Sequence, residues 1–447
     1  MNKITLENFR CFRGKHEARL APLTLLVGEN STGKTSFLAL IRALWDAAFE
    51  DAIPNFKKEP YDLGSYDEIA HYQGKQGGRA PRFEAGFEIS SSNNKKNAKE
   101  MENFCFHIVF HPSATTPFLA RRHLARGGAW IEEQRNKKRI LFGTRPGHEQ
   151  TPKPLFHDAL YKWYGQDKLI PLSILAISPS VNDARSNPQS VDERGINKEE
   201  GDIIFSLAND FKALTGGLYA SAPVRSKPRR VYEPSPETRD PDGEHTPMYL
   251  GRMHLQNRAG WRRLKNSLEE FGQNSGLFDE ISVKTWGKKG SAPFQLQIRK
   301  FSGTENIPKG SPRNLIDVGY GISQVLPVVT ELLRPDAPAI SLLQQPEVHL
   351  HPSAQAALGS LFCELAESGR QLVVETHSDY LLDRVRMDVR DGKSNLKPDD
   401  VSILFFERGD LDVRIHELGL DDNGNVLGAP DGYREFFRKE TQRSLNL

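Results

Sequence analysis

The chain has 447 residues, 60 of them Lys or Arg and 58 Asp or Glu, for a formal net charge of +2. That length exceeds one ordinary hydrophobic core, so a main domain plus an insertion or second lobe is expected. The near-cancelling charge excludes a wholly electrostatic nucleic-acid binder and restricts any DNA contact to local patches. The three cysteines, Cys11, Cys105 and Cys363, lie far apart, and neither a zinc site nor a disulfide framework is expected. The opening residues MNKITLENF form no long apolar stretch, and no segment approaches the roughly 20 apolar residues needed to cross a bilayer, so a cytoplasmic chain is expected.

Residues Ile4 to Phe12 read as a strand, followed by a turn and a buried strand from Leu23 to Val27. Residues 28 to 35, Gly-Glu-Asn-Ser-Thr-Gly-Lys-Thr, then complete the pattern Gly-x-x-x-x-Gly-Lys-[Ser/Thr]. A helix from Lys34 to about Phe49 follows, with Leu38, Ile41, Leu44 and Trp45 on one side. Strand, glycine loop and helix in that order make a nucleotide-phosphate cradle. Gly28 and Gly33 let the backbone wrap closely, so the N–H groups of Glu29, Asn30, Ser31 and Thr32 and the helix start at Ser36 face an anion. Lys34 would reach the β- and γ-phosphates of ATP, and Thr35 would hold Mg²⁺.

Next come a loop and short helix across Tyr61 to Ile69 and an alternating strand from Phe83 to Ile89. The polar run Ser90 to Lys99 reads as a hairpin tip. Met101 to about Glu280 carries few motifs. Within it, Ala120 to Leu141 is rich in Arg and Lys (121, 122, 126, 135, 137, 138 and 139), and Ser221 to Pro247 reads as an extended loop holding Arg225, Lys227, Arg229 and Arg230. Either basic group would meet a phosphate backbone or merely solvent, and an Arg in the second would touch nucleotide, DNA or solvent. Ile281 to Trp286 and Phe294 to Lys300 read as a hairpin. Ala339 to Leu343 and Leu372 to Glu375 are apolar runs flanked by helical segments, as central parallel strands are. Ser402 to Glu407 and Asp412 to Leu418 read as two edge strands, and Tyr433 to Arg443 as a closing helix. No repeat and no coiled coil is visible.

Three further segments decide among nucleotide-binding families: Gly319-Tyr320-Gly321-Ile322-Ser323-Gln324 before an apolar helix, Leu342-Leu343-Gln344-Gln345-Pro346-Glu347-Val348-His349-Leu350-His351-Pro352, and Val374-Glu375-Thr376-His377-Ser378. Their order resembles the ATP-binding cassette superfamily in its branch of SMC, RecF and OLD-like heads. The resemblance covers about residues 1 to 90 and 281 to 418. It implies an α/β ATPase head whose mixed central sheet is built from both chain ends, with residues 91–280 as an inserted α+β lobe for partner or DNA contact. It further implies that Gly321 and Ser323 belong to a signature loop gripping the γ-phosphate held by a second copy. The strand ending at Leu343 would be the Walker B strand, His349 to Pro352 the dimer-facing turn, and His377 the switch histidine. The glutamine that lines Mg²⁺ and water is not securely found; Gln73 is a candidate.

One departure from the family pattern bears on chemistry. The two residues before the Walker B proline are carboxylates in the wider superfamily, and here they are Gln344 and Gln345. The first of these positions assists Mg²⁺ and the second polarises the water. An amide at Gln344 or Gln345 can hydrogen-bond water but cannot accept its proton or bring negative charge to a metal, so slow hydrolysis is expected unless another carboxylate, Glu347, substitutes. The turn Gln-Pro-Glu-x-His-Leu-His-Pro and the Glu-Thr-His-Ser segment resemble the ATPase subunit of Septu-type antiphage systems, which pairs with an HNH endonuclease, and that of PARIS-type systems. With 40 residues after Glu407 and no glutamate strand followed by an Asp-x-Asp strand, the Toprim nuclease of OLD and Gabija proteins is not expected. The expectation is thus a regulatory ATPase that dimerises its heads around ATP and controls a separate nuclease. The competing expectation is a RecF-like repair mediator that binds DNA through its own basic patches, and a weaker third is an OLD-like signalling ATPase acting on another protein.

Overall fold

The computed structural model describes residues 1–74, 76–90, 103–114, 116–144, 162, 169–172, 198–214, 216–287, 292–302, 307–308 and 311–433. The expected hairpin tip beyond Ser90 and the expected closing helix beyond Tyr433 lie outside them. In chain order the elements begin with β1 (Lys3–Phe9), β2 (Phe12–Arg19), β3 (Leu23–Gly28), α1 (Lys34–Phe49) and α2 (Tyr66–Ile69). Strands β4 (Phe83–Ile89), β5 (Phe104–His111), β6 (Phe118–Arg126), β7 (Ala129–Gln134) and β8 (Arg139–Gly143) follow, then α3 (Lys198–Lys212), β9 (Leu218–Ser221), α4 (Thr246–Gln256) and α5 (Arg258–Ser275). After them come β10 (Glu280–Thr285), β11 (Phe294–Arg299), the short β12 (Phe301–Ser302), β13 (Ile307–Pro308) and β14 (Arg313–Asn314), and α6 (Tyr320–Leu333). The chain continues through β15 (Ile340–Gln344), α7 (Pro352–Glu367), β16 (Gln371–Glu375), α8 (Asp379–Arg390), β17 (Val401–Arg408), β18 (Val413–Leu420) and β19 (Val426–Leu427). The fold is mixed α/β, as expected, and falls into two compact units: residues 1–20, 29–216 and 406–415, and residues 21–28, 217–405 and 416–447.

The first unit is built on an antiparallel sheet in the order β2-β1-β4-β5-β6-β7-β8. Alternation in β4 and β5 sends Phe83, Phe87, Phe104, Phe106 and Phe110 inward. Phe49 of α1 and Phe211 of α3 close that layer, their rings stacked at 4.8 Å. The sheet runs straight through the stretch that looked motif-poor, because its strands are read from aromatic alternation rather than from any chemical motif. It also divides the first basic segment, leaving Lys137, Lys138 and Arg139 exposed. Arg122 and Arg135 are buried, Arg122 pairing with the buried Glu133 opposite it at 2.9 Å and lying 3.7 Å from Asp51. Arg121 lies 3.8 Å from Glu132, and Arg126 pairs with Asp210 at 2.8 Å. An arginine held inside against a carboxylate presents nothing to a phosphate backbone.

The second unit holds a sheet in the order β19-β18-β17-β3-β16-β15-β9, in which β3, β16, β15 and β9 are parallel. Strands from both chain ends meet in it, as expected; β9, from the middle of the chain, was not anticipated. Leu25, Val374 and Leu343 face one core, shared with Val325, Val329, Leu358, Phe362 and Leu268 of α6, α7 and α5. The hairpin β10–β11 has the expected antiparallel pairing, with Ile281 opposite Ile298. Among the described residues no helix is long and apolar enough to cross a membrane.

Glu133→Gln should leave the buried Arg122 guanidinium with only the more distant Asp51 carboxylate and cost about 3 kcal/mol of unfolding free energy. Denaturant unfolding followed by tryptophan fluorescence and circular dichroism measures this; a midpoint within error of wild type would show that the pair contributes no such stability.

Candidate functional site

The phosphate loop leaves β3 at Gly28 (φ 138°) and enters α1 through Gly33, which caps the helix in the left-handed region at φ 89°. A Cβ at Gly33 would run into Cys11 Sγ and lie 2.9 Å from Phe12 Cζ, so only glycine fits there. Ser31 is also left-handed, at φ 61°. The loop is tied by its own atoms: Thr32 Oγ1 donates to Glu29 O at 2.8 Å, and Lys34 Nζ donates to the same carbonyl at 2.6 Å. Arg408 donates to Ser31 O at 2.7 Å, and Phe37 N to Gly33 O at 2.9 Å opens the helical ladder. Glu29, Asn30 and Ser31 are exposed, whereas Lys34 and Ser36 are buried and Thr35 is half-buried. The first turn of α1 holds no acidic residue, so the positive end of its dipole is not neutralised there. This donor set fits a polyphosphate, and the Thr35 hydroxyl at the helix start is of the kind that holds the accompanying Mg²⁺. Burial against this loop pushes the Cys11 thiol up to about 11.

In the second unit the parallel strands β3, β16 and β15 bring Gly28, His377 and Gln344 to one end of the sheet. Gln344 is the last residue of β15, and Gln345 turns the chain out in the left-handed region at φ 42°. Glu347 is buried, and its Oε1 accepts from Thr376 Oγ1 at 2.9 Å and from His377 N at 2.8 Å. Its Oε2 is buried without a hydrogen-bond partner, an acceptor suited to a cation or a water. Burial raises the Glu347 carboxyl above the ordinary range, against the lowering effect of its hydrogen bonds. The His377 side chain is exposed. Glu347, expected as a substitute base, is thus also the bracket between the turn after β15 and the end of β16.

The signature segment belongs to the same unit. Gly319 caps α6, and Ser323 Oγ donates to Tyr320 O at 2.8 Å, so the buried Ser323 hydroxyl is engaged within its own first turn. Gly321 packs under the turn after β15: a Cβ there would lie 2.7 Å from His349 O. His349 is left-handed at φ 68°, its ring edge-on to Tyr320 at 4.8 Å. Gln73 is exposed on a turn closed by its N–H to Gly78 O at 2.8 Å, within the first unit.

Arg225 is the residue whose place the sequence did not reveal. It touches neither solvent nor an outward surface. It is buried, donating to Gln344 O at 3.1 Å and Gln345 O at 3.3 Å, while its own N–H donates to Gln324 Oε1 at 3.1 Å. Burial lowers the guanidinium to about 10, and the Glu347 charge acts against that lowering. One arginine in a Pro- and charge-rich loop carries no periodicity that would mark it as internal; only the strand end it clamps does so. Its neighbours lie at the surface, where Arg229 pairs with Glu244 and Arg230 with Asp317.

The chain matches a family model described as "AAA domain, putative AbiEii toxin, Type IV TA system" over residues 192–383. Over residues 1–119 it matches one described as an AAA ATPase domain. No curated protein matches the chain. Among solved structures it is similar to an SmcHead bound to the C-winged helix domain of ScpA, at 11% identity and TM-score 0.46, with 94% of this chain and 98% of that one covered. It is similar to the SMC head domain from Thermotoga maritima at 10% identity and TM-score 0.40, covering 93% and 98%. A third is the Smc head domain with an extended coiled coil bound to the C-terminal domain of ScpA derived from Pyrococcus furiosus, at 10% identity, TM-score 0.46 and coverage of 94% and 96%. With AAA models matched over residues 1–119 and 192–383, the chain carries AAA-type ATPase domains.

Proposed function

We propose that this chain is a regulatory ATPase that pairs two heads around ATP and Mg²⁺ and controls a separate HNH-type nuclease in a bacterial antiphage defence complex. The observation that carries the switch reading is the Glu347 junction, which joins the turn after β15 to the strand end bearing His377. A group sensing the γ-phosphate at His377 would be linked through that carboxylate to the turn that packs on Gly321. The defence role and the nuclease partner rest on the resemblance of the turn and of the Glu-Thr-His-Ser segment to Septu-type ATPases. A cytoplasmic location, and a head formed by residues 1–90 and 281–447 around a 91–280 lobe, belong to the same proposal. A RecF-like mediator has less support, because several arginines of both basic segments are paired or buried. Tight, steeply salt-dependent binding of DNA by the isolated chain would reverse that preference.

In the proposed pair, Lys34 and Thr35 hold the triphosphate and Mg²⁺, and Gly321 and Ser323 of the second copy cap it. Lys34→Ala should abolish binding of a fluorescent ATP analogue and, in cells carrying the whole locus, protection against phage. Binding at wild-type affinity would remove the cradle assignment, and full protection would remove nucleotide from the defence role.

Ser323→Arg should leave binding by a single chain intact and prevent ATP-dependent pairing. Light scattering after gel filtration with a non-hydrolysable analogue measures this, with thermal unfolding as the folding control. A well-folded variant that still pairs would count against capping in trans.

Glu347→Gln separates chemistry from stability. Because the folded carboxyl titrates above its unfolded value, its contribution to stability is complete at low pH and is lost as pH rises through the raised pKa. An amide has no such loss, so the variant's melting temperature should rise relative to wild type as the pH increases above the ordinary glutamate range of about 4. Its residual ATP turnover should fall by about tenfold or more if this carboxylate serves as the base. Unchanged turnover would show that another group takes the proton.

A further inference from the structure

The second unit holds a cavity of about 530 Å³ between α5, α7 and α8 that none of the motif residues lines. Phe271 of α5, Leu333 of α6 and Ala357 and Leu361 of α7 make its apolar wall; Asp388 of α8 and Ser394 of the following loop are on its polar side. Asp388 is 3% exposed. Its Oδ2 accepts from Ser360 Oγ at 2.5 Å, whereas its Oδ1 is buried without a hydrogen-bond partner. Among the described residues no Lys or Arg forms an ion pair with it. Arg384, one turn earlier, donates to Ser360 Oγ at 3.3 Å, and Lys393 is exposed. Its own helix gives no compensation, because Asp388 lies in the last turn of α8, where the dipole disfavours negative charge. The local field has the sign that suits a cation. Burial raises the Cys363 thiol to about 12, with the Asp388 and Glu364 charges adding to it. Desolvation raises the Glu364 carboxyl, and Glu270, Asp388 and Glu367 raise it further. A buried carboxylate oxygen is stable beside a donor or a cation, and the cavity gives one room.

We propose that this cavity binds an aliphatic ammonium, the end of a polyamine chain or of a lysine side chain, with the nitrogen on Asp388 Oδ1 and the methylenes against Phe271 and Leu361. A polyamine would place a second ammonium toward Glu364 at the rim. The site lies wholly within the second unit and is independent of the ATP reading. Other cations fit it less well. A divalent metal ion takes about six oxygen ligands, and among the described residues no group of three His, Cys, Asp or Glu is placed to hold one. A guanidinium presents two parallel N–H groups, and Ser360 already occupies one of the two Asp388 oxygens. An ammonium is a compact charge that needs only the other oxygen, and its alkyl stem suits an apolar wall.

The test is isothermal titration calorimetry of the full chain at physiological salt, with spermidine and separately with a short lysine-containing peptide blocked at both ends. Saturable one-site binding of spermidine identifies a free polyamine as the source, and binding of the peptide alone identifies a protein side chain. Asp388→Asn keeps the volume and removes the charge, and it should weaken that binding by about tenfold or more. A folded Asp388→Asn that binds as wild type does would show that the amine is held only by general surface attraction, which overturns the proposal. Failure of both probes to bind saturably overturns it equally. Should Asp388→Asn fail to fold by circular dichroism, Glu364→Lys replaces it, since it changes an exposed side chain at the rim. That variant sets a like charge against the ammonium, so weakened binding supports the site and unchanged binding overturns it.

Discussion

The Glu347 carboxylate is 6% exposed, and the site end of the parallel sheet is arranged around it. Burying an anion costs several kcal/mol unless hydrogen bonds replace its water. Here the Thr376 hydroxyl and the His377 amide do so, both on one oxygen. Those bonds also hold a turn that local preference would not choose. Gln345 and His349 are left-handed without being glycine, a conformation worth about 1–3 kcal/mol of strain each. The surroundings over-determine the turn, and the carboxylate is one of the groups that hold it.

From that turn, contacts continue in two directions within the same unit. Arg225 donates to the carbonyls of Gln344 and Gln345 and, through its own backbone, meets the Gln324 amide on α6. Gly321, at the start of the same helix, lies beneath the His349 carbonyl, where even a methyl group would not fit. The start of α6, the end of β15 and the end of β16 are therefore one packed cluster. Displacing any one of them must disturb the other two, because close-packed groups cannot slide past one another by fractions of a side chain. Contiguity of this kind is what a nucleotide switch requires.

The sequence made the motif-bearing elements legible to within a residue or two. β3, α1, β15 and β16 pair strong apolar patterns with glycine, proline or charged punctuation, and the helix from Lys34 to Phe49 begins and ends where its pattern does. The sheet β4 to β8 was largely hidden, since β6 reads Phe-Leu-Ala-Arg-Arg-His-Leu-Ala-Arg and looks basic rather than alternating. Its inward Arg122 is stabilised by Glu133 on the next strand, a partner that only the register reveals. Arg225 was hidden for the same reason: its partners are backbone carbonyls about 120 residues away, and carbonyls leave no mark in a sequence. Glu375 was visible as a letter in a motif, yet its place beside Gln344 is a property of strand order, which the motif does not encode.

The two glutamines bear on the proposed switch. An amide pair at the strand end can hydrogen-bond water but cannot take its proton, so under the proposed function slow turnover would follow unless Glu347, the carboxylate of the turn, acts in their place. Binding energy alone shifts a conformational equilibrium, and only by the difference in affinity between its states; hydrolysis serves to reset it. A site that binds firmly and resets slowly has its population set by nucleotide concentration and by whatever opens the pair. Rapid cycling suits a motor, whereas a long-lived bound state suits a chain that holds a partner in check until a signal arrives.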